Sequence, residues 1–110
     1  MIEKLTTMLP VADLAAAIDA WREALGTDPT FVDGDRWAQF DLAGGRIALA
    51  GTDRIGSGAG VMAKVADLDG AHARLCTAGL TPAPIGIGPH ERRFAVEMPG
   101  GGLVIYYSPA

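Results

Sequence analysis

The stretch MLPVADLAAAIDAW, residues 8–21, shares the tetrapeptide Val-Ala-Asp-Leu with AKVADLDGAHARL, residues 63–75. The two capping candidates, Asp13 and Asp67, lie 54 positions apart, about half the chain. A strand-like run precedes each copy, KLTTMLPV and GVMAKV, and a helical run ending at a glycine, Gly26 or Gly79, follows it. An internal repeat of this length points to a duplicated supersecondary unit.

In the first copy Leu14, Ala17, Ile18, Trp21 and Leu25 recur at helical spacing while Arg22 and Glu23 fall on the other side. Leu68, Ala71, Leu75 and Ala78 do the same in the second. Asp13 and Asp67 then stand at the N-caps, where a carboxylate accepts a bond from an orphan backbone N–H and typically stabilises by about 1 kcal/mol. Capping explains this pair of acids better than catalysis does.

Beyond each helix the pattern shortens to strands separated by turn residues. These are PTFV, RWAQFDL and RIALA in the first half, then IGI, RFAVEM and LVIYY in the second. Asp33-Gly34, Gly44-Gly45 and Gly100-Gly101-Gly102 read as turns. No glycine cluster runs into a helix N-terminus, as a phosphate cradle requires. Each half therefore reads βαβββ, with module one at about 1–52, a linker at about 53–59 and module two at about 60–110 of a single domain.

Composition limits the partners. The chain has 110 residues, 49% of them hydrophobic, which suffices for one domain with a real core. Its net charge is −4 and its nine Lys and Arg are scattered, so no basic stripe exists to neutralise a nucleic-acid backbone. No apolar run approaches the roughly 20 residues of a membrane span, and the N-terminus lacks the apolar stretch of a signal peptide, so a cytoplasmic protein is expected. The single cysteine, Cys76, falls on the second helix and reads as an ordinary helix residue.

With the strand-then-Val-x-Asp-Leu opening of each module, the GPHERR approach to a strand and the closing EMPGGGLVIYYSP, the whole chain resembles the vicinal oxygen chelate superfamily. This is also called the glyoxalase/bleomycin-resistance/dioxygenase superfamily. The resemblance implies an α+β fold: two tandem βαβββ modules whose curved mixed sheet forms a cup, with the helices outside. Strand alternation can be laid on that picture. Leu5, Thr7, Leu9, Val11, Ala38, Phe40, Leu42, Ile47, Leu49, Val61, Ala63, Val65, Phe94, Val96, Met98, Val104 and Tyr106 form a largely apolar helix-facing set. The opposite set mixes aromatic, thioether and charged groups, as a ligand pocket does.

Members of the superfamily generally hold a divalent metal with His, Glu or Gln at four strand positions. The repeat register puts those positions at Thr6, Ala48, Gly60 and Ile105, none of which is a credible ligand. Of the two histidines, His72 falls on a helix and His90 in a loop before a strand. The resemblance then narrows to the branch that binds without metal, similar to the bleomycin-resistance and other drug-sequestering proteins, with no metal ion and no other cofactor. In this reading Trp37 and Tyr107 stack on a flat ligand, such as an aromatic or peptide antibiotic. Met8 and Met62 form adaptable walls, and Gln39, Lys64 and Arg93 fix its orientation. Alternatively the protein is a glyoxalase-like lyase or isomerase, either metal-free or, with a different register, metal-dependent. In the metal-free form Glu97 is a general base beside Arg93, His90 shuttles a proton, and Lys64 and Arg46 recognise an anion. A structural ion network of Arg93, Glu97 and Lys64 is the plain counterpart of both. Exposed sheet edges add the expectation of a homodimer.

Overall fold

The computed structural model describes residues 1–56 and 58–109; Ser57, in the expected linker, and Ala110, at the end of module two, lie outside the described residues. It contains β1 (Ile2–Pro10), α1 (Leu14–Leu25), β2 (Phe31–Asp33), β3 (Trp37–Leu42) and β4 (Gly45–Ala50). These are followed by β5 (Gly60–Val65), α2 (Leu68–Thr77), β6 (Gly86–Ile87), β7 (Glu91–Glu97) and β8 (Leu103–Pro109). The order is βαβββ twice over, the α+β fold expected from the repeated hinge. The chain separates into two compact units, one of Thr6–Ala59 and one of Gly60–Ala110 together with Met1–Leu5. The first five residues thus belong with the second half of the sequence.

In the unit of Thr6–Ala59 the strand order is β2-β3-β4-β1, with β1 parallel to β4 and the other pairs antiparallel. The helix begins where expected: Asp13 takes an extended conformation and its Oδ1 accepts the Ala16 N–H at 3.1 Å. It ends at Gly26, whose φ of 69° reverses the chain while its N–H donates to the Arg22 carbonyl at 2.9 Å. Leu14 and Ile18 of α1 pack on Ala38, Phe40 and Leu49 of the sheet. Phe40 and Leu49 are fully enclosed, and burying a side chain of this size contributes about 1.5–3 kcal/mol. Leu42 pairs with Gly45, so the β3–β4 turn is Ala43-Gly44, both at positive φ, rather than the Gly44-Gly45 pair. Both central residues of such a two-residue hairpin turn need positive φ, and Ala43 supplies it without being glycine.

The other unit repeats this plan in the order β5-β8-β7-β6, with β5 parallel to β8. Asp67 caps α2 through the Gly70 N–H at 2.9 Å. Leu68 and Leu75 pack on Ala63, Val65, Phe94, Val96 and Tyr106. Phe94 is the centre of this core: its ring stacks on Tyr106 at 5.1 Å and meets the His72 imidazole edge-on at 4.8 Å. An Arg92–Asp69 fork, with Nη2–Oδ1 at 3.1 Å and Nη1–Oδ2 at 3.2 Å, ties β7 to the first turn of α2.

The largely apolar set expected to face the helices does so in both units, with three exceptions, of which Thr7 is exposed. Leu5 is 59% exposed and Val61 38%. Alternation assigns a residue to a face, and whether anything covers it there depends on where the helix ends. No helix among the described residues is long and apolar enough to cross a membrane.

Candidate functional site

The face of each sheet turned away from its helix carries the residues singled out in the sequence. In the unit of Thr6–Ala59, cross-strand register puts Met8, Ala48, Gln39 and Phe31 in one row and Pro10, Ala50, Trp37 and Asp33 in the next. Trp37 and Gln39 are half-buried two residues apart on one strand, and the indole Nε1–H donates to the Gln39 Oε1 at 3.2 Å. That bond fixes the ring and leaves the Gln39 amide N–H groups as donors. Met8 is 1% exposed and belongs to the floor beneath these side chains. Arg46 faces Asp41 in the register and donates to its Oδ1 at 2.6 Å, while the Thr30 hydroxyl donates to Oδ2. This engagement makes Arg46 a partner of its own sheet.

In the other unit three rows cross β5, β8 and β7. Lys64, Tyr107 and Arg93 form one, Met62, Ile105 and Ala95 the next, and Gly60, Leu103 and Glu97 the third. The structure therefore brings Lys64, Tyr107 and Arg93 side by side, all half-buried, on strands about 4.8 Å apart. Met62 and Ile105 form a buried floor beside them. Glu97 is not joined to Arg93. Four residues along a strand separate them by about 13 Å, and Glu97 is exposed at the far end of β7, opposite Leu103. The Arg93 guanidinium instead lies 3.7 Å from Glu91. His90 is exposed in the β6–β7 turn, which the Gly88 N–H closes by donating to the Glu91 carbonyl at 2.7 Å.

His72 has a structural place. Its Nε2 bonds the Ala83 carbonyl at 2.9 Å, which sets the tautomer and leaves Nδ1 as an acceptor 3.8 Å from the exposed Cys76 thiol. The ring pins the 81–85 segment to α2 and to Phe94.

The four positions that the repeat register marks, Thr6, Ala48, Gly60 and Ile105, do not offer side chains that fit a divalent ion. Ala48 and Ile105 offer methyl groups, and Thr6, 4% exposed, a neutral hydroxyl. Gly60 has no room for a ligand, because a Cβ built there would lie 2.6 Å from the Leu103 carbonyl oxygen of the neighbouring parallel strand. Among the described residues, no three His, Cys, Asp or Glu side chains gather in a way that could hold a metal.

Phe31 is the site residue that sequence reasoning missed. It is 52% exposed and lies in the Met8–Gln39 row, one row along the strands from Trp37. The available signal was the three-residue Gly34-Asp35-Arg36 turn, which sets Phe31 opposite Gln39. A shallow depression of about 270 Å³ lies on the α2 side, lined by Ile2, Asp67, Arg74 and Tyr106 among others, and holds none of the expected site residues.

No family model matches the sequence, and no curated protein matches it. Solved structures do match over nearly the whole chain. A Legionella pneumophila protein called NAD-dependent benzaldehyde dehydrogenase superposes with a TM-score of 0.85 at 16% identity, covering 96% of this chain and 99% of that one. A glyoxalase/bleomycin resistance protein/dioxygenase superfamily member from Vibrio splendidus 12B01 gives 0.72 at 18% identity, with 96% and 97% covered. Methylmalonyl-CoA epimerase from Mycobacterium tuberculosis gives 0.66 at 23% identity, with 99% and 89% covered. Three such different names on one architecture mean that the fold does not select the chemistry, which has to be argued from the site. This chain has the vicinal oxygen chelate fold, that of the glyoxalase/bleomycin resistance/dioxygenase superfamily.

Proposed function

We propose that the protein binds a small organic molecule without a metal ion, in the manner of the bleomycin-resistance branch of the superfamily. The observation that carries this reading is the half-buried Trp37 held by Gln39, with the exposed Phe31 on the same sheet face opposite Gln39. A fixed indole on a sheet face that also carries a second aromatic can stack a flat ligand, and the remaining Gln39 N–H groups can orient its polar groups. Thr6, Ala48, Gly60 and Ile105 support the metal-free part, because their chemistry offers no coordinating set. In this role the protein sequesters an aromatic or peptide antibiotic in the cytoplasm. It does so as a homodimer that covers the edge strand β2, where Val32 is 45% exposed.

The test is a panel of aromatic and peptide antibiotics and aromatic metabolites followed by tryptophan fluorescence and melting temperature. A true ligand quenches the signal of wild-type protein and raises its melting temperature. Trp37→Phe removes the quenching, whereas Trp21→Phe, altered within the α1 core, retains it. A panel without any response, or a response unchanged in Trp37→Phe, refutes the reading.

A further inference from the structure

We propose that the depression on the α2 side, which lies wholly within the unit of Met1–Leu5 and Gly60–Ala110, is a binding site for a free aliphatic α-amino acid. The site is independent of the reading above. Tyr106 lines it and is only 8% exposed, its ring stacked on Phe94. The phenol hydroxyl has no hydrogen-bond partner among the described residues. It is not sealed in the core either, because no fully buried side-chain oxygen or nitrogen among those residues lacks a partner. The hydroxyl of this deeply buried residue therefore opens into the depression. A tyrosine O–H normally finds a partner when its ring is buried, and a bound ligand supplies one here.

The walls define what that ligand carries. Asp67, Gly70, Ala71 and Arg74 stand at i, i+3, i+4 and i+7, so one face of α2 borders the depression. Among the described residues neither Arg74 nor Asp67 has an ion-pair partner, and they are not paired with each other. Asp67 commits Oδ1 to the Gly70 N–H as the helix cap and keeps Oδ2 in hand. Gly70 leaves that carboxylate uncovered, since a Cβ there would strike it. Ile2, Val65 and Ala71 add an apolar wall. A simple organic anion would meet the Asp67 carboxylate, and a simple amine the Arg74 guanidinium. A zwitterion with a short apolar tail answers both: Arg74 and the Tyr106 hydroxyl donate to its carboxylate, and Asp67 Oδ2 accepts from its ammonium. The tail covers Ile2, which is 45% exposed. A volume of about 270 Å³ is below the usual range of drug-sized sites and suits a molecule as small as an amino acid.

The test is an amide NMR titration of the full chain with leucine, N-acetylleucine and leucinamide at neutral pH, on wild type, Tyr106→Phe and Arg74→Gln. Leucine is expected to shift the amide signals of Gly70, Ala71 and Arg74 saturably. Each derivative lacks one of the two charges and should bind about threefold more weakly or worse, the scale of a partly exposed ion pair. Tyr106→Phe keeps the stacked ring and should weaken leucine by about five- to tenfold, the scale of one hydrogen bond to a charged group. It should leave the melting temperature unchanged, because the hydroxyl has no partner in the protein to lose. Arg74→Gln should weaken leucine and N-acetylleucine alike and leave leucinamide as it was. Leucine affinity within about twofold of wild type in Tyr106→Phe overturns the site. A melting temperature lowered by that change does the same, since it would reveal a structural partner for the hydroxyl. Equal binding of leucine and either derivative overturns the amino-acid assignment, and the absence of a saturable shift at the α2 amides overturns the site outright. None of these outcomes alters the quenching expected at Trp37.

Discussion

Replacing Gly60 by alanine tests whether the missing metal position is merely empty or has been built over. A Cβ there would lie 2.6 Å from the Leu103 carbonyl oxygen and 3.1 Å from the Leu103 Cβ, where ordinary contact begins near 3.4 Å. β5 and β8 would have to part locally by roughly 0.8 Å, in a sheet packed as densely as a crystal. The obstruction is backbone, so no rotamer change relieves it, and overpacking of this kind costs about 1–3 kcal/mol. Gly86→Ala is the control, because its Cβ would meet only the Arg93 carbonyl oxygen at 3.8 Å. Removing a glycine from an unstrained position stabilises by about 0.4–1 kcal/mol through the unfolded chain. That gain is common to both variants, so urea unfolding should separate them by the overpacking cost of about 1–3 kcal/mol, which at roughly 4–8 °C per kcal/mol is also visible in thermal melting. If Gly60→Ala proved as stable as Gly86→Ala, β5 would have slack at this position, and the claim that no side-chain ligand fits there would fail.

Two further outcomes follow from the local chemistry. Asp13→Ala and Asp67→Ala each remove an N-cap bond, of 3.1 and 2.9 Å, and each should cost about 0.5–2 kcal/mol in urea unfolding. A loss confined to one of the two would refute the equivalence of the repeats. The Asp69 carboxyl is held below its ordinary value near 3.8, first by its hydrogen bonds from Arg92 and then by that residue's charge. A depressed folded value contributes stability above the ordinary one, and that contribution is lost as pH falls through the folded one. Asp69→Asn should therefore flatten the fall in melting temperature on acidification below about pH 5, by a modest amount because the pair is exposed. An unchanged acid limb would show that the fork contributes nothing.

The strand-to-helix hinges were legible because one signal served two purposes: the aspartate caps a helix, and its repetition sets the register of the halves. β5 was readable to its ends, since Gly60 and the following cap bracket it. Alternation likewise sorted Ala38, Phe40 and Leu49 from Trp37 and Gln39. The site was less legible, because it depends on pairing between strands distant in sequence. Lys64, Arg93 and Tyr107 were each identifiable as facing away from the helix, yet only register reveals that they share a row while Glu97 stands two rows off. Phe31 escaped because a three-residue strand with apolar residues on both faces shows no alternation. Arg46 looked like an anion donor until pairing placed Asp41 opposite it.

The most direct test of the account is a ligand titration of metal-stripped protein, with the same titration repeated after adding Zn²⁺, Ni²⁺, Mn²⁺ or Fe²⁺. For the ligand that quenches Trp37, the account predicts the same affinity in every sample, and no stoichiometric metal in protein purified without chelator. Binding that appears only after metal is added, or near-stoichiometric metal in the purified protein, would contradict it.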